Sequence, residues 1–134
     1  NVKFVQPVPM ERMIDAARDA DVGIVSYIPS NLNNYLASPN KLFEYIHAGL
    51  PIAASDIPFM KKVVSENKIG VVFDPRDPED IARSLDKITR QPALGHHRKM
   101  IMAAAEKYTW QNEEKKLLRA YARLGETFSQ QKAR

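Results

Sequence analysis

The sequence predicts an α/β chain, a Rossmann-like open parallel sheet with helices on both faces and right-handed crossovers between strands. Three observations carry this expectation. Short apolar runs alternate with longer stretches of helical periodicity. The run at residues 22–28 is almost continuously apolar, as in strands covered on both faces. The breaks between runs are rich in Pro, Asn and Asp and lead into sequences with helix-start chemistry.

Taken in order, residues 1–5 read as a strand, and Pro7 and Pro9 bracket a loop. Met10, Met13, Ile14, Ala17 and Ala20 then recur at helical spacing. Residues 22–28 are expected to form a central strand. The segment 29–37 beyond it holds three asparagines and no glycine, and it lies where ligands bind in open α/β sheets, beyond the carboxyl ends of the strands. Residues 51–55 form the next buried strand, 59–67 a helix, and Gly70 admits a strand at 71–73, so four strands are expected in all. Asp77 caps a helix that begins at Pro78, with Glu79 and Asp80 complementing its dipole and Ile81, Ala82, Leu85 and Ile88 facing inward. Two further helices are expected at 92–107 and, after a Thr109 cap, 110–128, before a polar tail at 129–134. Leu117, Leu118, Tyr121, Ala122 and Leu124 should pack the last of them, with Trp110 also in the core.

A chain of 134 residues makes one domain, 1–134, long enough to bury roughly two thirds of its unfolded surface. Apolar residues at 44% and charged residues at 27% argue against disorder. No apolar run is long enough to span a membrane and no charged-then-apolar leader is seen. With no cysteine, disulfides and thiolate metal sites are excluded, which is compatible with a reducing cytoplasm. The net charge of +4 is too modest to require a nucleic-acid partner, and the basic pairs Lys61-Lys62, Arg98-Lys99 and Lys115-Lys116 have no aromatic stacking platform among them.

The stretch richest in chemistry runs from residue 38 to residue 51. Ser38 can cap the helix start, Pro39 suits its first position, and Gly49 can stop it in a left-handed turn. At 100° per residue Leu42, Phe43, Tyr45 and Ile46 share a core-facing arc, while Asn40, Glu44 and His47 gather opposite. Lys41 stands in the first turn, where the helix dipole disfavours a cation by about 0.3–1 kcal/mol. A bound anion would offset that, since free amides at a helix start beside a lysine make a phosphate site. Glu44, one turn further, could accept hydrogen bonds from sugar hydroxyls. The plainer alternative is an i,i+3 ion pair between Lys41 and Glu44 on a solvated face. Asn40 is open to the same two readings, ligand contact or exposed surface.

The sequence from Val22 to Asp56, with Ser38-Pro39-Asn40-Lys41-Leu42-Phe43-Glu44-Tyr45 followed by Ala48-Gly49-Leu50-Pro51-Ile52, resembles the nucleotide-sugar site of GT-B glycosyltransferases. It is similar in particular to the retaining, group-1 type that includes bacterial capsule, lipopolysaccharide and exopolysaccharide enzymes. The resemblance implies that Glu44 holds the nucleotide ribose, and that Ser38, Asn40, Lys41 and the helix amides line the diphosphate. It further implies a nucleoside-diphosphate sugar as donor, a glycan or lipid-linked acceptor, no cofactor or metal, and a cytoplasmic enzyme of polysaccharide synthesis with peripheral membrane association. The likeness covers the later part of the family's donor domain. The N-terminal acceptor domain and the first two strand-helix units would then lie outside this chain, which alone should be inactive. A gap in the sheet would follow, filled either by residues 2–5 pairing beside 22–28 or by a second copy in a homodimer.

The chain also departs from the family pattern. Relatives often carry Glu-x7-Glu with a Gly-rich loop for the donor sugar, whereas here the first position is Leu36 and no glycine lies between Tyr27 and Gly49. Either Asn31, Asn33, Asn34 or Tyr35 substitutes, or the sugar is held differently. Lys61-Lys62 stands where relatives often have a glutamate. His47 reads as a hydrogen-bonded structural residue and His96-His97 as solvated. Asp56 either faces the cleft or caps the turn before Pro58, and Glu113-Glu114 are helix-surface charges. Two other functions stay open: a noncatalytic Rossmann-like interaction module, supported by Leu36 and Lys62, and a sugar-nucleotide epimerase of the same architecture.

Overall fold

The computed structural model describes residues 2–132, with side chains described for 2–90 and 97–124. A short 3-10 turn, Met10–Arg12, leads into helix α1 (Met13–Ala17) and strand β1 (Gly23–Val25). There follow α2 (Leu32–Tyr35), α3 (Asn40–Ala48), β2 (Ile52–Ser55), α4 (Pro58–Asn67) and β3 (Gly70–Phe73). Helices α5 (Pro78–Thr89), α6 (Gln91–Lys107) and α7 (Trp110–Lys132) complete the chain.

The strands form a parallel sheet in the order β1-β2-β3, with Gly23 opposite Ile52 and Ile52 opposite Gly70. All four residues of β2 are buried, so it is the middle strand, as its unbroken apolar run requires. Ile52 and Ala54 face a cluster built from Val25, Leu42, Ile46, Met60, Val64 and Ile101. Helices α3 and α4 supply that cluster, and α6 packs across α3, α4 and α5. Phe73 and Ile88 are buried apart from this cluster, where α5 packs on β2 and β3. Because successive strand side chains point to opposite faces, the sheet carries helices on both sides.

Several local expectations hold. Asp77 caps α5, its Oδ1 accepting from the amides of Glu79 at 2.9 Å and Asp80 at 3.1 Å, with Pro78 first in the helix. Thr109 Oγ1 accepts from the Asn112 amide at 3.4 Å at the start of α7. Gly49 adopts φ +84 and closes α3, with the Leu50 amide bonding Tyr45 O and the Gly49 amide bonding Ile46 O.

Others are corrected. Residues 2–9 form no strand, and Val2, Phe4 and Val5 are exposed, so the described sheet has three strands rather than four and residues 2–5 do not pair beside β1. The segment at 22–28 holds a strand of three residues at the edge of the described sheet rather than at its centre, because among the described residues nothing pairs on its outer side and Ile24 is 45% exposed. Ala82 is exposed, since Ser84 and Ile88 carry the buried line of α5 with Ile81 and Leu85 beside it. Helix α7 packs little: Trp110, Leu117, Leu118, Tyr121 and Leu124 are all about half exposed or more, and Ala122 is exposed too. The apolar spacing of α7 predicts a core stripe, but among the described residues no element packs closely against it. This helix also runs past the expected end at 128 to Lys132; residues 1, 133 and 134 lie outside the described residues.

Gly23 is where β1 and α3 meet. A Cβ placed there would come within 2.5–2.8 Å of Tyr45 Cδ2, Cγ and Cβ, atoms too near the helix backbone to swing aside. Gly23→Ala is therefore expected to cost about 1–3 kcal/mol of stability, as overpacking does, and Tyr45→Ala in the same background should recover part of it; urea unfolding of the parent chain and the two variants measures this. Asp77→Ala, which only removes a cap, should cost about 1 kcal/mol by the same assay.

Candidate functional site

Helix α3 ends at Gly49 and passes through Pro51 into β2, so its C-terminus lies at the amino end of the sheet. Its start therefore lies at the carboxyl end, reached from β1 through residues 26–39. Leu42 and Ile46 anchor it in the core, and Phe43 packs edge-on against Phe59 at 6.1 Å and tilted against Tyr108 at 5.4 Å between ring centroids. Tyr45 lies over Gly23. The arc expected to face the core does so, which turns the opposite arc outward.

His47, on that outer arc, is held: its Nε2 lies 2.9 Å from Tyr108 O, which the ring reaches as an N–H donor. The Tyr108 hydroxyl in turn accepts from Asn67 Nδ2 at 3.0 Å. This histidine is structural, as its isolation in the sequence suggested. His97 Nδ1 likewise bonds Lys68 O at 2.9 Å, so it is engaged rather than simply solvated, while the side chain of His96 lies outside the described residues.

Ser38, Asn40, Lys41 and Glu44 stand together at the start of α3, and none of the four side chains has a hydrogen-bond or ion-pair partner among the described residues. The expected Ser38 cap is absent. Pro39 occupies the cap position and no side chain caps the helix, because the turn through Ala37 and Pro39 carries Ser38 one position too early. The Lys41–Glu44 ion pair, the plainer reading of that spacing, is also absent. Glu44 is half-buried and unpaired, Lys41 is exposed, and the amides of Asn40 and Lys41 have no capping side chain. A carboxylate, a cation and free amides at one helix start can together hold an anion and hydroxyl groups.

The segment before α3 is firmly built. Asn31 caps α2, its Oδ1 accepting from the Asn34 amide at 2.9 Å. Asn34 Nδ2 donates to Ile28 O at 3.3 Å and to Ser30 Oγ at 3.1 Å. Two residues that sequence reading missed tie this segment to the sheet. The buried Ser55 Oγ accepts from the Tyr27 amide at 2.8 Å, and Arg76 Nη2 donates to Pro29 O at 3.3 Å. Both contacts join elements far apart in the chain, and no local signal announces them. Asp56 pairs with Lys61 at 3.0 Å and caps nothing, since Ile57 holds the cap position of α4.

Two hollows stand out among the described residues. A cleft of about 220 Å³ between Pro29, Asp56, Asp74 and Arg76 lies at the carboxyl ends of the strands. A larger hollow of about 620 Å³ lies at the opposite end, among Arg18, Asp21, His47, Leu50 and Arg98. Size favours the second, but the start of α3 lies at the carboxyl end, where the sheet topology directs ligands. Among the described residues no group of three or more His, Cys, Asp or Glu side chains is placed to hold a metal, and no helix is long and apolar enough to cross a membrane.

The chain is 30% identical over 92 residues to the D-inositol 3-phosphate glycosyltransferase of Streptosporangium roseum, a match covering 69% of this chain and 20% of that protein. It is 27% identical over 128 residues to the D-inositol 3-phosphate glycosyltransferase of Corynebacterium urealyticum, covering 92% of this chain and 28% of that protein. The chain thus spans between a fifth and three tenths of the relatives' length. No solved structure matches it. The model of the glycosyl transferases group 1 family matches residues 1–108, which take in the whole sheet and all of α3, and the chain belongs to that family.

Proposed function

We propose that this chain is the donor-binding portion of a retaining GT-B glycosyltransferase, which moves a hexosyl unit from a nucleoside-diphosphate sugar to a glycan or lipid-linked acceptor in polysaccharide synthesis. The observation that carries the reading is Glu44: a half-buried carboxylate with no partner, one turn from an unpaired Lys41, at the ligand end of a parallel sheet within the family match. In this reading Glu44 accepts hydrogen bonds from the ribose hydroxyls. Lys41, Asn40, Ser38 and the free amides of α3 hold the diphosphate. As the glycosidic bond breaks, negative charge grows on that diphosphate, and a fixed cation with aligned amides stabilises it without having to reorganise.

The acceptor site and further strand-helix units belong, on this proposal, to polypeptide outside residues 1–134, and the chain alone binds donor without turning it over. The names of the two relatives specify an inositol phosphate acceptor, which adds phosphorylated cyclitols to the acceptors worth trying. The enzyme would work at the cytoplasmic side of a membrane, associated peripherally. A second reading, an interaction module, draws on the exposed apolar residues of α7.

Titration of UDP, GDP and ADP, followed by NMR shifts of the amides from 38 to 44, tests the proposal. One nucleotide should give saturable shifts there, and Glu44→Ala should weaken it at least about tenfold, the cost of losing hydrogen bonds to a charged group. Saturable shifts that Glu44→Ala leaves untouched would move the site elsewhere. No shifts with any of the three would favour the interaction module.

A further inference from the structure

We infer that Ser55 is a positioning residue of the donor site, its hydroxyl ending the pairing of β1 with β2 and so setting the course of the segment that carries Ser38 to α3; this rests on the donor reading above. The ladder shows how. Gly23 N–H bonds Pro51 O, and Val25 stands opposite Ala54. Donors recur at every second residue of a parallel strand, so the next is the Tyr27 amide and its regular acceptor is Ser55 O. That oxygen is taken by the Ile57 amide at 2.8 Å, where the chain turns toward α4. The Tyr27 amide goes instead to Ser55 Oγ, also at 2.8 Å. Ser55 is fully buried at the carboxyl end of the middle strand. Its side chain thus supplies the bond that the backbone withholds and lets β1 leave the sheet there.

From Tyr27 a series of hydrogen bonds runs on to the first turn of α3. Asn34 Nδ2 donates to Ile28 O and Ser30 Oγ, the Asn34 amide is held by Asn31 Oδ1, and Asn34 O accepts from the Ala37 amide at 3.4 Å. Tyr27 and Ala37 both pack against the main core cluster. Only Ser38 and Pro39 then remain before the helix, and Pro39 O accepts from the Leu42 amide at 3.1 Å. Helix α3 is pinned through its own buried side, but Ser38 precedes it and is placed by this segment. Arg76 supports the segment from outside at Pro29 O, yet a guanidinium offers no acceptor to the Tyr27 amide. Without the Ser55 hydroxyl that amide either loses its bond or takes Ser55 O from Ile57, and both alternatives shift the segment at its root.

The test compares the parent chain with Ser55→Ala, which removes the hydroxyl, and with Ser55→Thr, which keeps one on a side chain suited to a strand. Circular dichroism checks the fold of each, and the comparison with Ser55→Ala decides even where threonine is too large for the buried site. Amide hydrogen exchange and NMR shifts are read first without ligand. In Ser55→Ala the Tyr27 amide should lose protection and the amides between Ile28 and Ser38 should shift, while those from Phe43 to Gly49 hold. The nucleoside diphosphate among UDP, GDP and ADP that binds the parent should then bind Ser55→Ala about three- to tenfold more weakly, the scale of one hydrogen bond. Ser55→Thr should match the parent in both measurements. Shifts confined to Tyr27 and β2, unchanged affinity in Ser55→Ala, or an equal loss in Ser55→Thr with its Tyr27 amide still protected would overturn this inference alone. Failure of all three nucleotides to bind the parent would overturn the donor reading, and this inference with it.

Discussion

Tyr45 lies directly on the backbone of Gly23, and the placement of α3 depends on that contact. With no side chain at Gly23 the helix can settle close to β1, and Leu42 and Ile46 reach the shared core with the middle strand. The far end of the helix is held equally closely, by the left-handed Gly49 and by His47 on Tyr108 O. A helix pinned along its buried side and at its C-terminus has little freedom at its start. The backbone of its first turn is therefore fixed, and only the rotamers of its exposed side chains stay free.

That start breaks two local rules. A lysine occupies the first turn, against the helix dipole, and no side chain caps the free amides. Glu44 could relieve the first by pairing with Lys41, yet it stays apart. Elsewhere the chain follows the rules closely: α5 has its aspartate cap, and Arg83 lies within salt-bridge distance of Asp77, Glu79 and Asp80. Helices α1, α4 and α6 also start without a side-chain cap, so it is the first-turn lysine that sets the start of α3 apart, and a local rule broken at one place is where a function is to be sought.

The asparagine-rich segment before α3 shows how a polar sequence can present an apolar surface. Composition alone suggests a hydrated, sugar-binding loop. Folding uses the side-chain amides of Asn31 and Asn34 as internal struts, and Leu32, Tyr35 and Leu36 are left to face solvent together with Asn33. The same accounting applies to Ser55, a small polar residue in a buried strand whose hydroxyl is fully used by the Tyr27 amide.

Local chemistry determined much of this protein. The order of strands and of every helix but the short α2 after residue 20, the Gly49 stop, the Asp77 and Thr109 caps and the inward arc of α3 all follow from propensities and spacings of a few residues, and the motif from Ser38 to Ile52 carried the family. Only the tertiary structure decided what each element faces. Residues 2–5 have strand propensity but no neighbour to pair with, the run after Val22 is buried on one side only, and the apolar spacing of α7 meets no partner, since burial depends on which surfaces come together and not on the run itself. The state of Lys41 and Glu44 was likewise open in the sequence, because i,i+3 spacing permits an ion pair without requiring one. That they stay unpaired was settled in space, on a helix fixed through Tyr45, Leu42 and Ile46.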